Sequence, residues 1–406
     1  MLNERHTMNK KEFLILSIAL IVVMLGFGMV IPIFPFYIEN LGAGGTELGL
    51  LIATSAFLEF SFGPMWGAVS DKRGRKPILV VGLFGYAVSS FLFGISNQLW
   101  MLFAARALSG VLSSATITSA MAYVGDITTE ENRGDGMGKI GAAMALGLMV
   151  GPGLGGWLAE GSLSIPFFIA SAMSIASLIL VLTLLPESLT AEQQQAGTKI
   201  QLPRFKSLWA AVKGPIGYLL LLVALFSFAL TNFEAIFGLY ALEKFGFGPE
   251  KVGAILMVVA VVSTVGKAVL TGPVTRKWGE RLTIKASLLA GACGYLVLLA
   301  AWDFVSVLVA TAFFILSKTL LRPATFALIS RQASASQGTA MGLSNSFMSL
   351  GRIIGPIWAG FVFDFHPNLP YLSGSFFLLA GFAISLVVFN RNKIDRHQNS
   401  MIHRVG

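Results

Sequence analysis

Charged residues are scarce in this chain of 406: Asp, Glu, Lys and Arg make up 12% of it and hydrophobic residues 55%. Soluble domains carry about 25% charged residues, so a water-soluble globule of this size would lack the surface it needs. The mean hydropathy of +0.76 points to a bilayer instead. The one cysteine, Cys293, lies in an apolar run, which excludes a disulfide framework and any CxxC metal or redox motif. His6, His366, His397 and His403 show no metal-ligand spacing. No GxxxxGK[ST] phosphate loop exists, since Gly266-Lys267-Ala268 lacks both the earlier glycine and the final hydroxyl. No Ser/His/Asp set or paired carboxylates stand at a membrane face. The expectation is therefore no enzyme, no metal, no cofactor and no direct use of ATP.

What the chain does contain is long apolar runs. A hydrocarbon core about 30 Å thick takes about 20 apolar residues at about 1.5 Å rise each. Twelve runs of that kind are expected to cross: Phe13–Tyr37, Leu48–Val69, Ile78–Ile95, Leu99–Val124, Gly138–Ala159, Ile165–Leu185, Pro215–Leu242, Val252–Leu270, Thr283–Ala301, Phe304–Ile329, Thr339–Phe363 and Pro370–Asn390. The first follows Lys10 and Lys11 as a signal peptide would, but it is longer than the about 7–15 residues of a signal core and has no A-x-A site. It is expected to stay in the mature protein.

Placing the N-terminus, the even-numbered connections and the C-terminus on one side gathers nearly every Lys and Arg outside the spans, leaving Lys244 and Lys251 on the other. By the positive-inside rule both termini are cytoplasmic. The formal net charge of +9 then reflects topology and not a nucleic-acid partner.

Sliding the sequence along itself by about half its length brings Gly147-x-x-x-Gly151-Pro152-x-x-Gly155-Gly156 onto Gly351-x-x-x-Gly355-Pro356-x-x-Ala359-Gly360. Nearly the same shift places Gly67-Ala-Val-Ser-Asp-Lys-Arg-Gly74 on Gly272-Pro-Val-Thr-Arg-Lys-Trp-Gly279. Two separate matches argue for a duplicated six-helix unit. The expected organisation is an N-terminal bundle over residues 1–185, a cytoplasmic linker over 186–214 with an amphipathic turn near Phe205–Val212, a C-terminal bundle over 215–392 and a cytoplasmic tail over 393–406.

The loop Gly67-x-x-Ser70-Asp71-Lys72-Arg73-Gly74-Arg75-Lys76-Pro77 resembles the signature loop of the major facilitator superfamily, and the twelve-helix plan matches that family along nearly the whole chain. The Gly147 to Gly156 motif resembles the fifth-helix motif of the family's drug:proton antiporter branch, with the closest general likeness to bacterial multidrug, quinolone and tetracycline exporters. The resemblance implies an all-α membrane fold of two six-helix bundles around a central cavity, working as one chain by alternating access, and it points to export. Physically, the loop glycines allow tight turns, Asp71 can face a neighbouring helix N-terminus, and Arg75 can pair with Asp126. Together Gly67, Asp71, Gly74, Arg75 and Asp126 would form a cytoplasmic latch. The competing reading of Lys72, Arg73, Arg75 and Lys76 is a topology signal alone. In the fifth helix the Gly-Pro pair removes a backbone hydrogen bond and the small residues permit close helix contact, a packing role as much as a mechanistic one.

Ionisable groups inside membrane helices are costly and are functional candidates by default. Two acids lie well inside the spans, Glu59 and Glu234. Glu234, in Thr231-Asn232-Phe233-Glu234, is the leading proton or substrate site; the competing reading is a Glu bonded to a neighbouring helix or snorkelling from near the outer end. Glu59 is a second proton site, a cation-binding aid or a packed and paired Glu. Arg106 resembles the family's fourth-helix arginine, linked there to proton coupling, and Glu59 is a candidate partner for it. The first helix holds no acid, and Thr319 stands where some quinolone exporters carry an Asp, so a two-acid site does not carry over. Lys318 and Arg322 share a helix face at i and i+4, and Lys267 and Arg352 add positive charge. If they line a cavity they favour zwitterionic or anionic substrates; near helix ends they snorkel. Phe34, Phe57, Phe233, Phe237 and Tyr240 are candidate cavity aromatics for planar amphiphiles.

The function expected from these residues is proton-coupled export of amphiphilic compounds across the cell membrane. The alternative is a same-fold exporter or flippase of an anionic metabolite or lipid-linked substrate.

Overall fold

The structure is a computed structural model that describes residues 10–195, 205–214, 216–333 and 337–405. Among these residues the regular structure is entirely helical. In chain order the helices are α1 (Lys10–Val30), α2 (Phe34–Asn40), α3 (Gly45–Arg73), α4 (Arg75–Ile95), α5 (Leu99–Leu112), α6 (Ser114–Ile127), α7 (Arg133–Leu158), α8 (Ile165–Leu184), α9 (Ala191–Gln195), α10 (Phe205–Val212), α11 (Gly217–Phe245), α12 (Pro249–Val269), α13 (Thr271–Leu299), α14 (Phe304–Gln332), α15 (Gln337–Phe363) and α16 (Leu369–Val405). Counting α5 and α6 as one span, 12 are long and apolar enough to cross a membrane.

Several boundaries differ from the sequence expectation for local reasons. The first run breaks after Val30 and restarts as α2, because Pro32 lacks a donor and Pro35 sits in the first turn of the new helix. The fourth run loosens at Ser113, whose hydroxyl bonds back to the Ser109 carbonyl and competes with the helical ladder. The tail beyond residue 392 continues the α16 helix. The amphipathic turn of the linker is α10, with Trp209 exposed and Leu208 buried.

The duplication is visible in the backbone. Gly74 ends α3 at φ 101° and ψ 155°, and its counterpart Gly279 interrupts α13 at φ 73° and ψ 162°. Both conformations lie on the side of the map that favours glycine. The stretch Thr271–Trp278 is thus the end of the second span of its half, and the third span starts after Gly279. This corrects the expectation that the ninth span begins at Thr283.

Contacts divide the chain into two compact units, residues 1–204 with 235–260, and residues 205–234 with 261–406. The first unit is built around Leu16, Leu20, Leu83, Tyr123, Val124, Ile140 and Val181 from α1, α4, α6, α7 and α8. A stripe of serines on α8 ties it to its neighbours: Ser171 donates to the Ala87 carbonyl and Ser174 to the Leu83 carbonyl at 2.8 Å, and Ser177 to the Ala19 carbonyl at 3.2 Å. Such bonds and small-residue contacts hold membrane helices together because lipid is as apolar as the side chains. The second unit uses the same devices, with Ser227 donating to the Met348 carbonyl at 2.7 Å, Asn232 to Pro370 at 2.8 Å and Ser375 to Ala292 at 3.0 Å.

Candidate functional site

Glu234 is the single exposed residue of α11 between Leu222 and Leu242. Asn232 and Phe233 before it and Ala235 to Tyr240 after it are buried. In the second unit the carboxylate stands within electrostatic reach of Arg352, Lys318 and Lys267. Lys318 is buried: its Nζ donates to the Phe226 carbonyl of α11 at 3.2 Å and lies over the Phe314 ring at 5.2 Å. Arg322, one turn on, is exposed and lies over the Phe326 ring at 5.4 Å. Thr319, where an acid would have made a second proton site, bonds to the Ile315 carbonyl at 2.9 Å. Glu234 and Lys318 are therefore brought into one electrostatic neighbourhood, and Arg322 joins it through Arg352 and Lys267.

In the first unit Glu59 is half-buried on α3. The Arg106 guanidinium stacks over Phe34 at 4.7 Å, and Phe34 packs against Phe93 and Phe167 at 5.0 and 5.5 Å. The expected cavity aromatics are mostly core. Phe34, Phe233, Phe237 and Tyr240 are all buried, with Phe233 packed on Phe314 and Tyr240 on Phe245, and only Phe57 is exposed. Large rings fill the space between helices as readily as they line a cavity, so type alone did not separate the two roles.

At the α3–α4 turn, Arg75 Nε lies 2.9 Å from Asp126 Oδ2, its Nη1 pairs with Asp71, and Ser188 donates to Asp126 at 2.9 Å. Asp71 lies in the last turn of α3. The N-terminus of α4 is met by Glu187, whose carboxylate accepts the backbone N–H groups of Arg75 at 2.8 Å and Lys76 at 3.1 Å. It also accepts those of Ser188 and Leu189. Glu187 escaped the sequence reading because it lies in the connection after α8, more than a hundred residues away; an acid directly after Pro186 was the one available signal.

The α7 motif has two working faces. A β-carbon on Gly147 would come 2.7 Å from the Leu25 nitrogen, and one on Gly151 2.7 Å from the Leu25 oxygen, both on α1. A β-carbon on Gly155 would come 2.6 Å from the Met29 Cα. Gly156 instead meets Gly253 at 3.1 Å, and Gly253 in turn abuts Gly156 and the Pro152 carbonyl, so this face carries α12. One turn further on, Glu160 stands beside Glu250, and the apposed carboxylate raises the proton affinity of Glu160. Neither acid was singled out in the sequence.

A sequence description of the Major Facilitator Superfamily matches residues 16–356 and, a second time, residues 219–404. Multidrug resistance protein 2 of Bacillus subtilis (strain 168) is 32% identical over 388 residues, covering 95% of this chain and 96% of the relative. Multidrug resistance protein 1 of the same organism is 34% identical over 373 residues, covering 92% and 95%. The quinolone resistance protein NorA of Staphylococcus aureus (strain COL) is 29% identical over 399 residues, covering 97% and 100%. Among solved structures, the nucleoside transporter NupG superposes with a TM-score of 0.77 at 14% identity, over 93% of this chain and 99% of that one. The human organic anion transporter MFSD10 (TETRAN) does so with a TM-score of 0.67 at 20% identity, over 93% and 99%. These two attest the fold. With its twelve membrane-crossing helices, its duplicated half and its relatives along almost their full length, the chain belongs to the Major Facilitator Superfamily of transporters, on the branch that holds these bacterial resistance proteins.

Proposed function

We propose that the protein is a proton-driven antiporter that exports amphiphilic drugs or toxic compounds from the cytoplasm, working as a single chain in the cell membrane with both termini cytoplasmic. The observation that carries this reading is Glu234, an exposed carboxylate in the middle of an otherwise buried stretch of a membrane helix and set among cations. An acid in such a place can take up and release one proton per cycle. The relatives' names, multidrug resistance and quinolone resistance, support drugs as the cargo and efflux as the direction. One proton moving inward yields about 2.3 kcal/mol per 100 mV. At about 150 mV this sustains about a 300-fold gradient, taking about 1.4 kcal/mol per factor of ten. One titrating carboxylate is enough, with no cofactor.

Wild type and Glu234→Gln, expressed in a host without its own drug pumps, test the reading through efflux of ethidium and norfloxacin with and without a protonophore. Expected are export by the wild type, its loss on uncoupling, and its loss in Glu234→Gln with the variant still in the membrane. Proton-dependent export unchanged in Glu234→Gln would remove this acid as the essential carrier.

A further inference from the structure

The charged groups of the second unit do not balance. Among the described residues, the membrane spans of this unit hold one acid away from their ends, Glu234, while Lys267, Lys318, Arg322 and Arg352 all sit in the spans. Glu280, at the start of the third span of that half, is committed to Arg331 at 3.0 Å. The four cations form one electrostatic group: Glu234 is within reach of Arg352, Lys318 and Lys267, Arg322 is within reach of Lys267, and Arg352 is within reach of Arg322. Among the described residues the first unit differs, its spans holding one acid, Glu59, and one base, Arg106, away from their ends.

Snorkelling to a span end does not account for Lys267, because the second span of that half runs on past α12 to Trp278. Nor does it account for Lys318, which lies midway along the 29 residues of α14. At about 1.5 Å per residue that is about 21 Å from either end, far beyond the reach of a lysine. Lys318 is instead turned into the unit and anchored on the Phe226 carbonyl. Arg352 is also many residues from both ends of α15, and Arg322 and Arg352 are exposed. Like charges gathered at membrane depth are held at a cost unless an anion joins them. A guanidinium presents the planar fork that suits a carboxylate or a sulfonate.

We infer that Lys318, Arg322 and Arg352 of the second unit form a subsite for the anionic head of the transported compound, so that the cargo is an amphiphilic anion or the anionic end of a zwitterion, and a purely cationic amphiphile fits worse. This deepens the export reading and rests on it. Lys318 fixes the depth of the site, the two arginines supply the exposed donors, and Glu234 is the internal counter-charge that an incoming anion must share them with.

The test uses two planar fluorescent dyes of opposite charge, fluorescein and ethidium, with the full chain purified in lipid nanodiscs and binding followed by anisotropy. Fluorescein is expected to bind saturably. Arg322→Gln with Arg352→Gln should weaken it by about tenfold or more, the effect of losing a charge-assisted pair, while ethidium binds no worse. Arg322→Lys with Arg352→Lys should recover part of the loss. Should the double Gln variant fail to fold, Glu234→Gln serves as the second probe, and removal of the competing carboxylate should tighten fluorescein binding. Absence of saturable fluorescein binding, or affinity indifferent to all these substitutions, overturns the subsite. Efflux of both dyes from pump-deficient cells separates the two readings: ethidium export without fluorescein binding leaves export standing and removes the anion site, whereas fluorescein binding without uphill export of either dye keeps the site and removes the exporter.

Discussion

The Glu187 carboxylate, arriving from the connection after α8, accepts the backbone N–H of Arg75 at 2.8 Å, and it occupies the space that a β-carbon on Gly74 would need. It thereby serves as the cap that α4 has no residue of its own to provide, since Gly74 has no side chain and α3 ends immediately before it. The signature loop and the end of the sixth span are one structural piece. Replacing Glu187 with Ala should cost about 1 kcal/mol, as losing a helix cap does, and should slow export at unchanged membrane abundance. Glu187→Gln should recover part of both in a melting-temperature and initial-rate comparison. Equal rates in all three proteins would reduce Glu187 to linker chemistry.

Arg75 bridges Asp71 and Asp126 across the ends of α3 and α6. Asp71→Asn is expected to leave expression intact and abolish transport. A double-mutant cycle of Arg75→Gln with Asp126→Asn should show a coupling of about 0.5–3 kcal/mol, the range for residues of one ion-pair network. Near-normal transport by Asp71→Asn would defeat the latch role.

The α7 glycines can be tested against a control in the same helix. A β-carbon at Gly151 or Gly155 would run into α1 backbone, which has no flexible end to move aside, whereas one at Gly141 meets nothing within 4 Å. Gly151→Ala and Gly155→Ala should therefore each destabilise the protein by about 1–3 kcal/mol, the usual cost of overpacking. Gly141→Ala should be neutral or slightly stabilising. Melting curves of the three purified variants decide it, and a uniform response would mean that helix propensity and not contact governs this stretch.

Glu160 and Glu250 give the α7–α12 contact a pH dependence. Because the neighbouring carboxylate raises the proton affinity of Glu160, the arrangement that apposes them gains stability as pH falls and loses it as pH rises through the shifted titration. Glu160→Gln removes that loss, so it should stabilise the protein more at pH 8 than at pH 5. A pH-independent difference in melting temperature between wild type and variant would show that the two acids do not face one another in solution.

Length, hydropathy and pattern were enough to read twelve crossings, the duplicated half and the loop and motif glycines, because a bilayer imposes span length directly and because a repeat shows itself without any contact being known. The matched φ of Gly74 and Gly279 is the backbone form of an alignment visible in the letters. Tertiary structure alone decided which side of each helix faces what. In water, polarity marks the outer face, but here lipid and protein interior are equally apolar. Buried Phe237 and exposed Phe376 are therefore the same kind of signal in sequence. The partners that define the sites, Glu187 for Arg75, Phe226 for Lys318 and Glu250 for Glu160, are brought near only by the packing of helices distant along the chain.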